Sequence, residues 1–249
     1  MAFETLKGIV LKYADYKEND RILTLLTRER GLVSLTARGV RTGKKANASA
    51  VKDAYCCGEF VVYERNRMLY VSSSSLIEAF YPIREDYDRL TAAAQIARMA
   101  EKAASNEKNE PLFSLVYHSL SFLAYSKVEP VDLVLAFASK LIVVEGYEPL
   151  ITRCSVCGRS VLSESSIRFS NSHGGSVCSE CAGDEPTYSP SSMEAFRRMI
   201  LLEPREMDRV RLTEAMRSEL NKLLIDYIEF SFEQPVRLKN HNNRTNDPK

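Results

Sequence analysis

The sequence predicts an α+β protein, a small five-stranded barrel followed by a mainly helical region that carries a four-cysteine zinc insert. Three observations lead there. Residues 5–80 fall into five short β-type stretches divided by turn residues, whereas from Pro82 onward the apolar residues recur at helical spacing. Between two of those helices, residues 152–183 are rich in Gly and Ser and hold two Cys-x-x-Cys pairs.

The first strand is carried by Ile9, Leu11 and Tyr13, which alternate with polar or smaller neighbours as a strand with one buried face requires. Further strands are expected at Arg21–Thr27, Leu32–Val40, Tyr55–Glu64 and Met68–Leu76. Short turns at Glu18-Asn19-Asp20, Glu29-Arg30-Gly31 and Arg65-Asn66-Arg67 separate several of them. Five strands in so short a stretch suit the OB-fold, the common five-stranded barrel. An SH3-like barrel satisfies the same strand count. Cys56 and Cys57 are adjacent in the fourth stretch, and a period of two buries one side chain and turns the other outward.

The helical region opens with Leu90, Ala94, Ala97 and Glu101 at helical spacing, within an Ala-rich stretch of high helix propensity. A second helix is expected at about Pro111 to Tyr125. A third, at about Val131 to Glu145, is apolar nearly all round and therefore central to a bundle. Gly146 follows it where a helix end favours a residue able to take positive φ. Helix resumes after Ser189, a serine cap followed by Pro190 and Glu194, and again from about Thr213 to Phe232. The expected organisation is a nucleic-acid-binding barrel over 1–80, a helical domain over 81–235 with the zinc module at about 152–183, and a polar, disordered tail over 236–249.

Cys154-Ser-Val-Cys157 and Cys178-Ser-Glu-Cys181 are separated by twenty residues, the spacing of a four-thiolate zinc site. Two intervening residues let a tight knuckle aim both sulfurs at one ion, and two knuckles complete a tetrahedron. Gly158, Gly174 and Gly175 suit the chain reversals this needs. Four protein ligands leave no position for water or substrate, so one Zn2+ here is structural rather than catalytic. His173 is an alternative ligand, but four sulfurs already fill the shell. An insert so poor in core residues gains its fold from the metal.

The formal charge of +1 conceals an uneven distribution, since residues 1–80 hold thirteen Lys/Arg against nine Asp/Glu. No acidic residue occurs from Thr36 to Lys52, a stretch that carries Arg38, Arg41, Lys44, Lys45 and Lys52. A basic loop on a small barrel can follow a phosphate backbone, with salt-dependent contacts. Arg65 and Arg67, in a nearby turn, extend the patch. Tyr13, Tyr16, Phe60, Tyr63 and Tyr70 offer stacking faces, although most such residues serve a barrel as core.

The sequence carries no catalytic constellation. Gly39 to Lys45 is one residue too short between its glycines for a phosphate loop, with Lys45 where Ser or Thr should stand. The three histidines, His118, His173 and His241, are scattered, and neither a G-x-S-x-G elbow nor an H-E-x-x-H pair occurs. The most apolar stretch, Leu133 to Val144, is interrupted by Ser139 and Lys140 and is shorter than the ~20 residues a membrane span needs. A cytoplasmic protein is expected, and that compartment favours cysteines as metal ligands over disulfides.

Two ordered blocks resemble one family. The run Gly8-Ile-Val-Leu-Lys12, Tyr16-Lys-Glu-Asn-Asp20-Arg21, Leu23-Thr-Leu-Leu-Thr27 and Glu29-Arg-Gly31 through Ala37-Arg38-Gly39 is similar to the opening of RecO proteins. Lys140 to Gly146-Tyr147-Glu-Pro149, followed by the two cysteine pairs with Gly174-Gly175, is similar to that family's central region. The resemblance implies an N-terminal OB-fold and a helical remainder with a zinc module. It also implies a nucleoid-associated protein that is not an enzyme, binds single- and double-stranded DNA and anneals complementary strands. With RecR, such a protein helps load the RecA filament onto strands covered by single-strand-binding protein. The other reading of the residues is a zinc-ribbon adaptor between proteins, without intrinsic DNA affinity.

Overall fold

The computed structural model describes residues 2–40 and 49–232. β1 (Phe3–Tyr16), β2 (Asp20–Thr27), β3 (Gly31–Ala37), β4 (Cys57–Arg65) and β5 (Met68–Glu78) close into a barrel in the order β1-β2-β3-β5-β4. Neighbours are antiparallel except β3 and β5, which run parallel through Leu35–Leu69 and Thr36–Tyr70. That Greek-key order is the OB-fold's. It excludes a barrel in which successive strands simply pair, the point that strand count left open. Leu6, Val10, Leu23, Leu25, Leu35, Phe60 and Val62 fill the interior, each such side chain contributing about 1.5–3 kcal/mol by leaving water.

Two details depart from a period of two. Ile9, Val10 and Leu11 are all buried, and the β1–β2 register shifts between Val10 and Lys12. The helix α1 (Tyr87–Ala103) lies against β1, so the outer face of the strand is covered as well as the inner one. Likewise Cys56 and Cys57 are both buried, at 1% and 0% exposure, where one was expected to face outward. Cys56 belongs to the barrel core, and its thiol donates to the carbonyls of Ala50 and Asp53 (3.4 and 3.2 Å). Desolvation pushes the two thiols up to about 12 and about 11, which keeps them protonated and inert.

The chain divides into two compact units, Met1–Phe137 with Glu203–Arg209, and Ala138–Leu202 with Val210–Lys249. In the first, the barrel is joined by α1 and α2 (Glu110–Tyr125). Asp86 caps α1 by accepting from Arg89 N (2.8 Å), and Asn109 caps α2 by accepting from Leu112 N (3.0 Å). The Arg89 guanidinium donates to the carbonyls of Leu123 and Ala124, orphan acceptors at the end of α2. Lys12–Glu101 and Arg28–Glu110 ion pairs tie barrel to helices.

α3 spans Pro130–Val144, with Leu133 to Ala138, Leu141 and Ile142 buried. It ends at Gly146, φ +84°, with Gly146 N bonded to Val143 O and Tyr147 N to Ile142 O. Those are the two bonds of a Schellman cap. The second unit continues with a three-stranded sheet, β6 (Ile167–Ser170) flanked by β7 (Gly175–Val177) and β8 (Thr187–Tyr188). It closes with α4 (Pro190–Leu201), capped by Ser189, and α5 (Glu214–Phe232). No described helix is long and apolar enough to cross a membrane.

Candidate nucleic-acid interface and metal centre

The cysteine pairs meet. The first forms a turn in which Gly158 N bonds to Cys154 O (2.9 Å) and Cys154 N to Arg159 O (2.7 Å). In the second, Cys181 N and Ala182 N both bond to Cys178 O (3.0 Å each). Ser155 N bonds to Ser176 O (2.8 Å), which sets one knuckle beside the other. Gly175 permits a close approach, because a Cβ there would stand 2.3 Å from Leu150 O.

The four sulfurs lie within 4.8 Å of one another, and Cys157 Sγ stands 3.6 Å from Cys178 Sγ. Zn–S bonds of about 2.3 Å in a tetrahedron separate neighbouring sulfurs by about 3.8 Å, so the cluster fits the ion. Cys154 and Cys178 are buried, Cys181 is half-buried and Cys157 is exposed. Desolvation raises the Cys154 thiol, but hydrogen bonds from the backbone of Cys178, Cys157 and Val156 outweigh it and bring it down to about 6. Hydrogen bonding to the sulfurs of Cys178 and Cys157, with desolvation, holds Cys181 at about 12. The donor set is what a four-coordinate structural metal requires. His173 lies apart from the cluster, with Nδ1 3.0 Å from Ser170 Oγ.

The sequence-predicted basic residues divide by position. Arg38, Lys52, Arg65 and Arg67 are exposed on the barrel, whereas Arg41, Lys44 and Lys45 lie outside the described residues. Arg65 ends β4, and Asn66 and Arg67 form the turn to β5, both with positive φ (+52° and +60°). A two-residue turn of that kind matches the twist of the flanking strands. The Arg38 guanidinium carbon sits 4.5 Å over the ring of Tyr70, two residues into β5. Tyr70 in turn stacks on Tyr63, centroids 5.5 Å apart.

Sequence reasoning passed over two residues that organise this region, Asp20 and Arg21 at the start of β2. Asp20 Oδ1 accepts from Gly39 N (3.0 Å), and the Arg21 guanidinium donates to the carbonyls of Val51 and Lys52. Gly39 and the Val51–Lys52 pair, in the acid-free stretch, are therefore both bonded to the start of β2, beside the β1–β2 turn. Arg21 also stacks on Tyr13 at 3.7 Å and pairs with Asp15. Their place at the end of the Tyr16–Arg21 run was the available signal. Of the proposed stacking faces, Phe60 and Tyr70 are buried, while Tyr13 and Tyr16 are 42% and 44% exposed. Loops β1–β2 and β4–β5 with the β2–β3 face are where OB-folds engage oligonucleotides.

Comparison with known proteins adds a lineage to this geometry. The model described as "Recombination protein O N terminal" matches residues 1–80, and "Recombination protein O C terminal" matches residues 84–240. A DNA repair protein RecO of Desulforamulus reducens is 32% identical over 241 residues, 95% of this chain and 93% of that one. The RecO of Rubrobacter xylanophilus is 32% identical over 206 residues, 81% of this chain and 82% of its own. That of Alkaliphilus metalliredigens is 27% identical over 226 residues, 89% and 91%.

Proposed function

The chain belongs to the RecO family of DNA repair proteins, and on that premise we propose that it is a non-enzymatic mediator that binds single- and double-stranded DNA and anneals complementary strands. The observation that carries the reading is the basic rim of the barrel, with Arg38, Lys52, Arg65 and Arg67 exposed on its loops and strand ends. Arg41, Lys44 and Lys45 complete the proposed contact set by sequence. Annealing requires no bond chemistry. A cationic surface that offsets phosphate repulsion lets two strands meet, and base pairing supplies the driving force.

In this reading one Zn2+ is held by Cys154, Cys157, Cys178 and Cys181 and serves the fold alone. The partners are RecR and single-strand-binding protein, with the RecA filament served indirectly, in a cytoplasmic, nucleoid-associated setting. These partners and this setting are what the family resemblance implies.

Gel-shift with plain single-stranded oligonucleotides tests the proposal against a protein–protein adaptor. Binding is expected, alike for all sequences, because phosphate contacts carry no base code. Charge reversal of Arg38, Arg65 and Arg67 to Glu should weaken it and flatten the slope of log affinity against log salt, by about 0.7 for each single-strand phosphate no longer neutralised. A wild-type protein without oligonucleotide affinity would favour the adaptor. Unchanged affinity and slope in the folded variant would move the interface elsewhere.

A further inference from the structure

Resting on the zinc reading above, we infer that Arg159, ion-paired with Glu180 across the two knuckles, governs how fast the metal is released and how readily Cys157 is attacked. Arg159 stands two residues beyond the first knuckle and Glu180 lies inside the second, and their side chains meet. The Arg159 carbonyl accepts from Cys154 N (2.7 Å), so its backbone is fixed by the first pair while its guanidinium reaches the second. Glu164 adds a parallel tie, its Oε1 accepting from Ser179 N (3.2 Å). The second knuckle is thus held against the first by links that involve no sulfur.

Exposed ion pairs contribute little to global stability, but this one sits where ligand exchange begins. Cys157 is the exposed sulfur of the four, so a chelator or electrophile meets it first. The guanidinium interacts electrostatically with the sulfurs of Cys157 and Cys178. Four thiolates around a divalent cation carry a net negative charge, and a guanidinium drawn to the second knuckle by Glu180 offsets part of it and lowers thiolate reactivity. Releasing Cys157 also requires the knuckles to part, which the Arg159–Glu180 tie opposes. Arg159 is a positioning residue, since it reaches the metal through its ligands.

The test uses the purified full chain. Zinc content is measured first, then the rate of zinc transfer to excess chromogenic chelator and the rate of Cys157 alkylation by iodoacetamide. Arg159→Ala should keep one zinc per chain while both rates rise about tenfold. Arg159→Lys should fall between, because it keeps the charge but not the forked geometry. Glu180→Gln should speed transfer more than alkylation, because the guanidinium remains. Wild-type rates in Arg159→Ala at full zinc content would overturn the inference and leave the metal reading intact. Should Arg159→Ala fail to load zinc, wild-type rates in both Arg159→Lys and Glu180→Gln would overturn it instead. A wild-type protein purified without zinc would overturn the metal reading, and this inference with it.

Discussion

The barrel and the cysteine insert are both made of strands and turns, yet they hold their shapes by different means. The barrel closes strands of seven to fourteen residues over a continuous apolar interior. The insert's strands have four and three residues, and the longer also pairs with a two-residue strand just beyond the insert, all too short to persist alone. Its two ends also differ. At one, Phe169 of β6 packs edge-on against Phe196 of α4 and Tyr227 of α5, centroids 6.2 and 5.3 Å away. At the other, Cys154 to Glu164 has Val161 as its one fully buried apolar side chain besides Cys154. In the proposed reading the metal holds the knuckle end, while the sheet end rests on apolar packing as the barrel does.

The largest effects should separate these two kinds of support. Cys154→Ser should abolish zinc binding and open the knuckles, with a drop in stability of several kcal/mol drawn from metal binding. Limited proteolysis should then cut within 153–164 while the barrel stays protected. Cleavage in the barrel first would show that the regions are not independent. Phe60→Ala is the converse. It should cost about 3–5 kcal/mol by leaving a cavity in the barrel, while elemental analysis still finds one zinc per chain.

Gly175→Ala probes the sheet end. A Cβ 2.3 Å from Leu150 O forces the backbone to shift, for about 1–3 kcal/mol, read as a lower denaturation midpoint with zinc retained. The smallest effect concerns α4. Hydrogen bonds from Arg197 and Arg198 hold the Glu194 carboxyl down at about 2, below its ordinary value. The pair's stabilisation is thus complete above about pH 5 and is lost as pH falls through about 2. The carboxylate is 39% exposed, so solvent screening limits the effect, and Glu194→Gln should cost a few tenths of a kcal/mol at pH 7 and progressively less as pH falls toward 2.

What the sequence made legible was local. The caps at Asp86 and Ser189, the glycine end of α3 and the Cys-x-x-Cys spacing each depend on a few consecutive residues. The parallel β3–β5 pairing joins residues more than thirty apart and leaves no local mark. Covering of β1 by α1 erased the alternation expected at Ile9–Leu11, and Cys56 and Cys57 are both buried where one was expected to face outward. The strands β6 to β8 are too short to show a period, and Asp20 read as a turn residue and Arg21 as the first residue of a strand because their partners, Gly39, Val51 and Lys52, lie far along the chain. The resemblance to RecO supplied what spacing did not, the expectation of DNA as ligand.

In the proposed function the barrel rim serves strand pairing and the zinc serves only the fold. Pairing of labelled complementary single strands puts this to the proof, followed without nucleotide or added magnesium and across a range of salt. Annealing is expected to outrun the uncatalysed rate and to slow as salt screens the phosphate contacts, with strands intact throughout. A strict requirement for ATP hydrolysis, or cleavage of the strands during the reaction, would contradict it.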